Sequence, residues 1–175
     1  MEDFPIRHAT IDDALELSGM ARAAFCETFH HYQPDALAEF LNTHCGLSAF
    51  KEALRAPNIT ILIASAEQKI IGYTKFGASR LPKIADFRPE FELHQLYVLK
   101  AWQGRKIGAR LMQGVIGAGY DSKAPAIHLG VWEHNVRAQE FYKRHGFTKV
   151  GDYDYLPIGD VTDHEWIMEK SLIRQ

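Results

Sequence analysis

Between Phe91 and Tyr120 the chain reads FELHQLYVLKAWQGRKIGARLMQGVIGAGY, and the residues there with chemistry to offer are Glu92, His94 and the run Gln103-Gly104-Arg105-Lys106. A carboxylate and an imidazole two apart in an extended segment project from one face, because side chains alternate along a strand. Glu92, His94, Leu96 and Val98 therefore share one face, and Leu93, Gln95 and Tyr97 the other. Either polar group can take a proton from a reacting atom, the imidazole with the better unperturbed pKa. The basic run separates a β-branched and aromatic stretch from Ile107, Leu111, Met112 and Val115 at helical spacing, so the order is strand, tight turn, helix. Such a turn aims backbone N–H groups and the positive end of a helix dipole at one point. Anion binding is its expected task.

The turn is neither the nucleotide-binding GxxxxGK(S/T) nor the dinucleotide-binding GxGxxG. Gly114 to Gly119 has the spacing GxxGxG, but it lies late in the helix, where no N-terminus faces a phosphate. Gly117 and Gly119 are expected instead to end the helix in left-handed conformations.

QGRKIGARLM after ELHQLYV resembles the Q/R-x-x-G-x-G/A signature of the GCN5-related N-acetyltransferases, with Lys106 standing where the signature has its first glycine. Asn135-Val-Arg-Ala-Gln-Glu-Phe-Tyr-Lys-Arg-His-Gly-Phe147 is similar to that family's N-x-x-A-x-x-F-Y-x-x-x-G-F stretch. The resemblance implies acetyl transfer from acetyl-CoA to a primary amine by direct attack, without a metal or a covalent enzyme intermediate. It implies that Leu96, Tyr97 and Val98 hold the pantetheine, and that Gln103, Gly104, Arg105, Lys106, Ile107, Gly108 and Ala109 hold the diphosphate. Lys106 is compatible with this if its torsions are ordinary helical ones, and its ammonium can add a contact to phosphate. Asn135 is expected against the pantetheine or diphosphate, Ala138 to let the cofactor pass close, and Tyr142 to protonate the departing thiolate. Glu92 resembles the family's base position, with His94 as the alternative, and a backbone N–H near Val98 is expected to receive the oxyanion.

The segment AFCETFHHYQPDALAEFLNTHCGLSAFKEAL is similar to the two-helix region of the bacterial polyamine acetyltransferases. That likeness implies a small-molecule amine acceptor held by Glu27, Phe29, His30 and Tyr32, a carboxylate with aromatics suiting a cation. Other acceptors compatible with the family are a protein N-terminus or lysine and an aminoglycoside; a non-catalytic acyl-CoA-binding module is the rival outside the enzymes. A homodimer is common in the family. Phe141 and Phe147 are expected to be core residues.

The elements that position these residues follow from periodicity and turn residues. Pro5–Ala9 reads as a short strand, and Thr10 with Asp13 as a capping box opening a helix to about Phe29. Pro34 opens a second helix with Leu37, Phe40 and Leu41 inward, and Ser48 caps a further short piece closed by Pro57. ITILIAS and IIGYTKF make a hairpin over AEQK; AIHLGVW is a fifth strand; Asn135 opens a helix with Ala138, Phe141 and Tyr142 inward and Gly146 as its stop. The remainder reads as two strands joined by a loop with Pro157 and Gly159. The order β-αα-βββ-α-β-α-ββ predicts an α/β fold with a mixed, mostly antiparallel sheet of about seven strands flanked by helices. The family resemblance adds a splay between strands 4 and 5.

At 175 residues the chain suits one domain, residues 1–175. A net charge of -2 supplies no field to attract nucleic acid, which is not an expected partner. Apolar runs are too short for a membrane span, and MEDFPIRHAT is acidic where a signal peptide is basic, so a cytoplasmic protein is expected. Cys26 and Cys45 lack CxxC spacing and are expected as free, buried thiols.

Overall fold

The computed structural model describes residues 4–29, 32–83, 88–158 and 161–173. In chain order it runs β1 (Ile6–His8), a 3-10 turn (Ile11–Asp13), α1 (Ala14–Thr28), α2 (Pro34–Cys45), α3 (Leu47–Arg55), β2 (Ile59–Ala66) and β3 (Lys69–Ala78). There follow β4 (Phe91–Val98), a 3-10 turn (Lys100–Trp102), α4 (Ile107–Asp121), β5 (Ala126–Trp132), α5 (Val136–Arg144), β6 (Thr148–Ile158) and β7 (Val161–Ser171). The strands are hydrogen-bonded in the order β1-β2-β3-β4-β5-β7-β6. β4 and β5 run parallel, in register at Glu92↔His128, while β1–β2, β5–β7 and β6–β7 are antiparallel. This is the mixed, mostly antiparallel α/β sheet that the pattern predicts. Contacts divide the chain into two compact units, Met1–Phe76 with Gln95–Val115, and Gly77–His94 with Ile116–Gln175.

In the first unit, apolar residues of α1 at helical spacing (Leu17, Ala21, Ala24, Phe25) are buried, with Phe40 and Leu41 of α2, Phe50 of α3 and Ile61, Ile63, Ile71 and Tyr73 of the sheet. α1 is entered through a capping box: the Thr10 N–H and hydroxyl both donate to the Asp13 carboxylate, which Arg7 also grips at 2.7 Å with each of two nitrogens. α3 is not capped by Ser48. It begins at Leu47 because the chain turns extended at Gly46, whose carbonyl accepts from Phe50 N–H, and Ser48 lies within the first turn. Glu67 and Gln68 close the β2–β3 hairpin at φ of 49° and 63°, the twist a two-residue turn requires, without the usual Asn or Gly. Cys45 is buried, and desolvation pushes its thiol up to about 11, whereas Cys26 is exposed rather than buried as expected.

α4 runs through Gly117 and Gly119 to Asp121, so neither glycine ends it. Lys123 takes the left-handed turn instead (φ 59°), with its N–H bonded to Tyr120 O and that of Ala124 to Gly119 O. Gly119 is needed for space: a Cβ there would strike Leu172 and Ile127.

In the second unit the β6–β7 hairpin is joined to β5 by the pairs Ala126↔Ser171 through Trp132↔Glu165. Ile127, Leu129, Val131, Ile167, Met168 and Phe147 form its core. Registered partners share a sheet face. Glu92, His128, Gly130, Glu165, Tyr153, Asp163 and Tyr155 therefore line one face of this unit's sheet. On α5 the most buried residue is Gln139, its amide donating to Trp132 O and Glu133 O; Ala138, Phe141 and Tyr142 are only half-buried, so Phe141 is not the core residue expected, whereas Phe147 is. Gly146 ends that region at φ 85°. Gly159 falls outside the described residues. Among the described residues no helix is long and apolar enough to cross a membrane, and no three His, Cys, Asp or Glu side chains could hold a metal ion.

Candidate active site

The basic turn leads straight into α4. Gly104 has φ 82° and Lys106 has φ 63°, so two left-handed residues bracket Arg105 just ahead of the helix. Lys106 thus does not have the ordinary helical torsions that a lysine prefers; it takes the left-handed conformation that glycine adopts most readily. Left-handed residues alternating with ordinary ones turn successive N–H groups to one side, as in anion-binding nests. Lys106 O accepts the first helical bond, from Arg110 N–H, which leaves the N–H groups of Ile107, Gly108 and Ala109 without partners inside the helix. No acidic side chain lies in the first turn to compete for them. Arg105 rests over the Trp102 ring, 4.8 Å from its centroid. Gln103 ties the turn to the strand end by donating to Val98 O at 2.9 Å. These residues fit a diphosphate. Leu96, Tyr97 and Val98 are half-buried, and β4 comes close to β3 here because Gly72 has no Cβ to meet Tyr97 O and Val98.

In the second unit Glu92 is buried, and its Oε2 accepts from Arg80 N–H at 2.6 Å and Ser79 hydroxyl at 3.1 Å. Its Oε1 lies 3.4 Å from His94 Nδ1. Burial alone would raise the Glu92 pKa, but His94 and the two donors outweigh it and hold the carboxyl below its ordinary value. Glu92 is thus an ionised group and a weak base. The His94 side chain is 6% exposed, and its Nε2 is buried without a hydrogen-bond partner among the described residues. A buried imidazole with one nitrogen against a carboxylate and the other free can accept a proton at the free one.

Tyr142 is half-buried on α5, its ring edge-on to Phe147. Burial, with the nearby Glu165 carboxylate, raises its phenol above the ordinary value. It stays protonated at any working pH. Asn135 caps α5, its Oδ1 accepting from Ala138 N–H at 3.2 Å. That oxygen orders the helix, while the amide nitrogen has no hydrogen bond among the described residues.

Three of the four expected acceptor residues lie among the described residues, and each has a contact of its own. Glu27 Oε2 accepts from Lys100 N–H at 2.9 Å and braces the 3-10 turn before the basic loop. Phe29 stacks on Phe25 with ring centroids 4.5 Å apart, and Tyr32 lies 5.9 Å from Phe40 in the same aromatic cluster. His30 lies outside the described residues.

A cluster on β6 and β7 has no counterpart in the reading of the sequence. Tyr153 donates to Glu165 Oε2 at 2.6 Å. A Cβ on Gly130 would collide with both the Glu165 carboxylate and the Tyr153 hydroxyl, so the glycine makes their room. Burial pushes the Glu165 carboxyl up to about 7; the Tyr153 hydrogen bond opposes this, and Asp163 and Glu92 add to it. Burial with the Glu165 charge raises the Tyr155 phenol to about 12. Two signals in the sequence mark the cluster: a glycine inside the apolar strand AIHLGVW, and Glu165 on the same strand face as Ile167.

Residues 17–147 match the acetyltransferase (GNAT) family. An uncharacterised N-acetyltransferase of Mycobacterium bovis is 30% identical over 166 residues, covering 92% of this chain and 99% of that one. The N-alpha-acetyltransferase RimI of Mycobacterium tuberculosis is 32% identical over 104 residues, 59% of this chain and 61% of that one. Among solved structures, the PaiA N-acetyltransferase of Thermoplasma acidophilum in complex with coenzyme A superposes with a TM-score of 0.75 at 20% identity, over 97% of this chain and 99% of that one. With the sheet described above, these matches mean that the chain belongs to the acetyltransferase (GNAT) family and is an acetyl-CoA-dependent N-acetyltransferase.

Proposed function

We propose that the acceptor is a small, positively charged primary amine of the polyamine kind, acetylated by direct attack on the thioester. The observation that carries this reading is the Glu92–His94 pair: an ammonium must lose a proton before it can attack, and His94 Nε2 is buried with no other partner among the described residues. Glu92, ionised, orients the ring and stabilises the imidazolium that forms. The amine nitrogen bonds to the carbonyl carbon, the C–S bond breaks, and Tyr142 gives its proton to the thiolate. In the first unit, the backbone near Val98 takes the oxyanion and the turn from Gln103 to Ala109 takes the diphosphate. Asn135 and Ala138 border the coenzyme in the second.

A second reading, acetylation of a protein N-terminus, is favoured by the mycobacterial N-alpha-acetyltransferase, which matches about three-fifths of the chain. Thiol release from acetyl-CoA, followed against polyamines, amino acids, aminoglycosides and peptides, separates the readings. Release with polyamines is the expected result. Release with peptides alone transfers the function to protein acetylation, and none with any amine leaves an acyl-CoA-binding module.

A further inference from the structure

The second unit holds more buried negative charge than a proton acceptor requires. Glu92, Asp163 and Glu165 share one face of its sheet; Glu92 and Asp163 are buried and Glu165 is half-buried. The charges that act most strongly on Glu165 are those of Asp163 and Glu92, both of its own sign. Carboxylates in this state are stabilised by a cation brought close to them. Glu165 is built to meet one: Oε2 is fastened by Tyr153 at 2.6 Å, while Oε1 has no hydrogen bond among the described residues. Gly130 provides the space over β5 in which this carboxylate lies.

A second, independent feature points to the same place. The parallel register Glu92↔His128 sets His94 level with Gly130. His94, whose buried Nε2 has no partner among the described residues, therefore belongs to the same sheet face as Gly130, the position over which Glu165 and Tyr153 reach. An imidazole nitrogen that must take a proton and a carboxylate with no ion-pair partner among the described residues thus share one face of this unit's sheet. We propose that Glu165, fastened by Tyr153 in the space left by Gly130, is the specificity-determining residue that binds the ammonium group of the acceptor amine beside His94. This rests on the acetyltransferase reading of the Glu92–His94 pair. The glycine is part of the device, since any side chain at position 130 evicts the carboxylate.

The test compares wild type with Glu165→Gln, which keeps the size and the Tyr153 hydrogen bond but removes the charge, and with Gly130→Ala. With butane-1,4-diamine as acceptor, Glu165→Gln is expected to raise KM for the diamine at least tenfold and leave KM for acetyl-CoA within twofold. Gly130→Ala should do the same. For wild type, kcat/KM for the diamine should climb as pH rises through neutrality, and this climb should flatten in Glu165→Gln. A second readout does not need turnover. Calorimetric titration of butane-1,4-diamine into the protein with coenzyme A, in two buffers of different ionisation heat, should show proton release on binding in wild type and none in Glu165→Gln. An unchanged diamine KM, or an equal rise in KM for acetyl-CoA, overturns the proposal. If the diamine binds with Glu165-dependent proton release but is never acetylated, the ammonium site stands and the catalytic reading of Glu92–His94 fails.

Discussion

At the scale of single residues, the neighbours of each group decide what it can do. Glu92 is a carboxylate on the expected strand, yet donors from Ser79 and Arg80 and the facing His94 keep it ionised, which leaves it a weak base. Tyr142 is kept protonated by burial and the nearby Glu165 carboxylate, so it carries a proton at working pH, although the same upward shift makes it a weaker acid. Tyr142→Phe is expected to lower kcat by roughly 10²-fold, the usual weight of one general acid, while the dissociation constant for acetyl-CoA changes little. Steady-state kinetics with equilibrium binding of acetyl-CoA checks this, and an unchanged kcat removes the tyrosine from the chemistry.

At the scale of elements, the connection from β4 to α4 is one of the strained turns among the described residues. Lys106 holds φ 63°, a left-handed conformation that costs an ordinary residue about 1 kcal/mol. The loop holds this left-handed turn at the expense of local stability, with a lysine as the last residue before the helix. Lys106→Gly should therefore raise stability by about 0.5–1 kcal/mol in denaturant unfolding, the relief being partly offset by glycine's larger entropy in the unfolded chain. Coenzyme A affinity should fall slightly, through loss of one exposed charge, and the fall should disappear at high salt.

At the scale of the whole molecule, the ammonium site sets a pH dependence of stability. The ordinary glutamate value is 4.5, and in the fold the Glu165 carboxyl titrates near 7. Between these values the folded state keeps a proton that the unfolded chain has released, so stability falls as pH rises through that window and levels off above it. The groups that act on Glu165 are Glu92 from β4, Asp163 from β7 and Tyr153 from β6, and it in turn acts on Tyr155 and on Tyr142 of α5. Asp13, pulled down to about 2 by Arg7, and Glu92 have the opposite sign: their stabilisation is lost only as pH falls below 4. Glu165→Gln should accordingly be more stable than wild type at pH 8, by up to about 3 kcal/mol, and the difference should vanish near pH 4. Thermal melts across pH measure it. A variant that gains stability while losing affinity for its acceptor distinguishes a ligand-binding carboxylate from one that supports the fold.

What could be read from the chain was what short-range pattern encodes. The hairpin over AEQK, the strand-turn-helix around Gln103 to Ala109 and the capping by Asn135 depend on residues within a few positions of each other, and the order of elements followed from them. So did the placement of Glu92 and His94 on one strand face, since alternation is a local property. Local patterns misled where a residue has two uses. Gly117 and Gly119 looked like helix stops, but Gly119 is there because Leu172 and Ile127 press against the helix, and Lys123 makes the turn. Glu27 is expected to receive an amine, and the sequence gives no sign that its Oε2 accepts the Lys100 N–H, 73 residues away. The Glu165–Tyr153 pair was out of reach for the same reason: β7 pairs with β5 and with β6, and only that register lays a carboxylate over Gly130, 35 positions earlier in the chain. Chemistry that depends on one side chain and its sequence neighbours is written in the sequence; chemistry that depends on which strands lie side by side is decided by the tertiary structure.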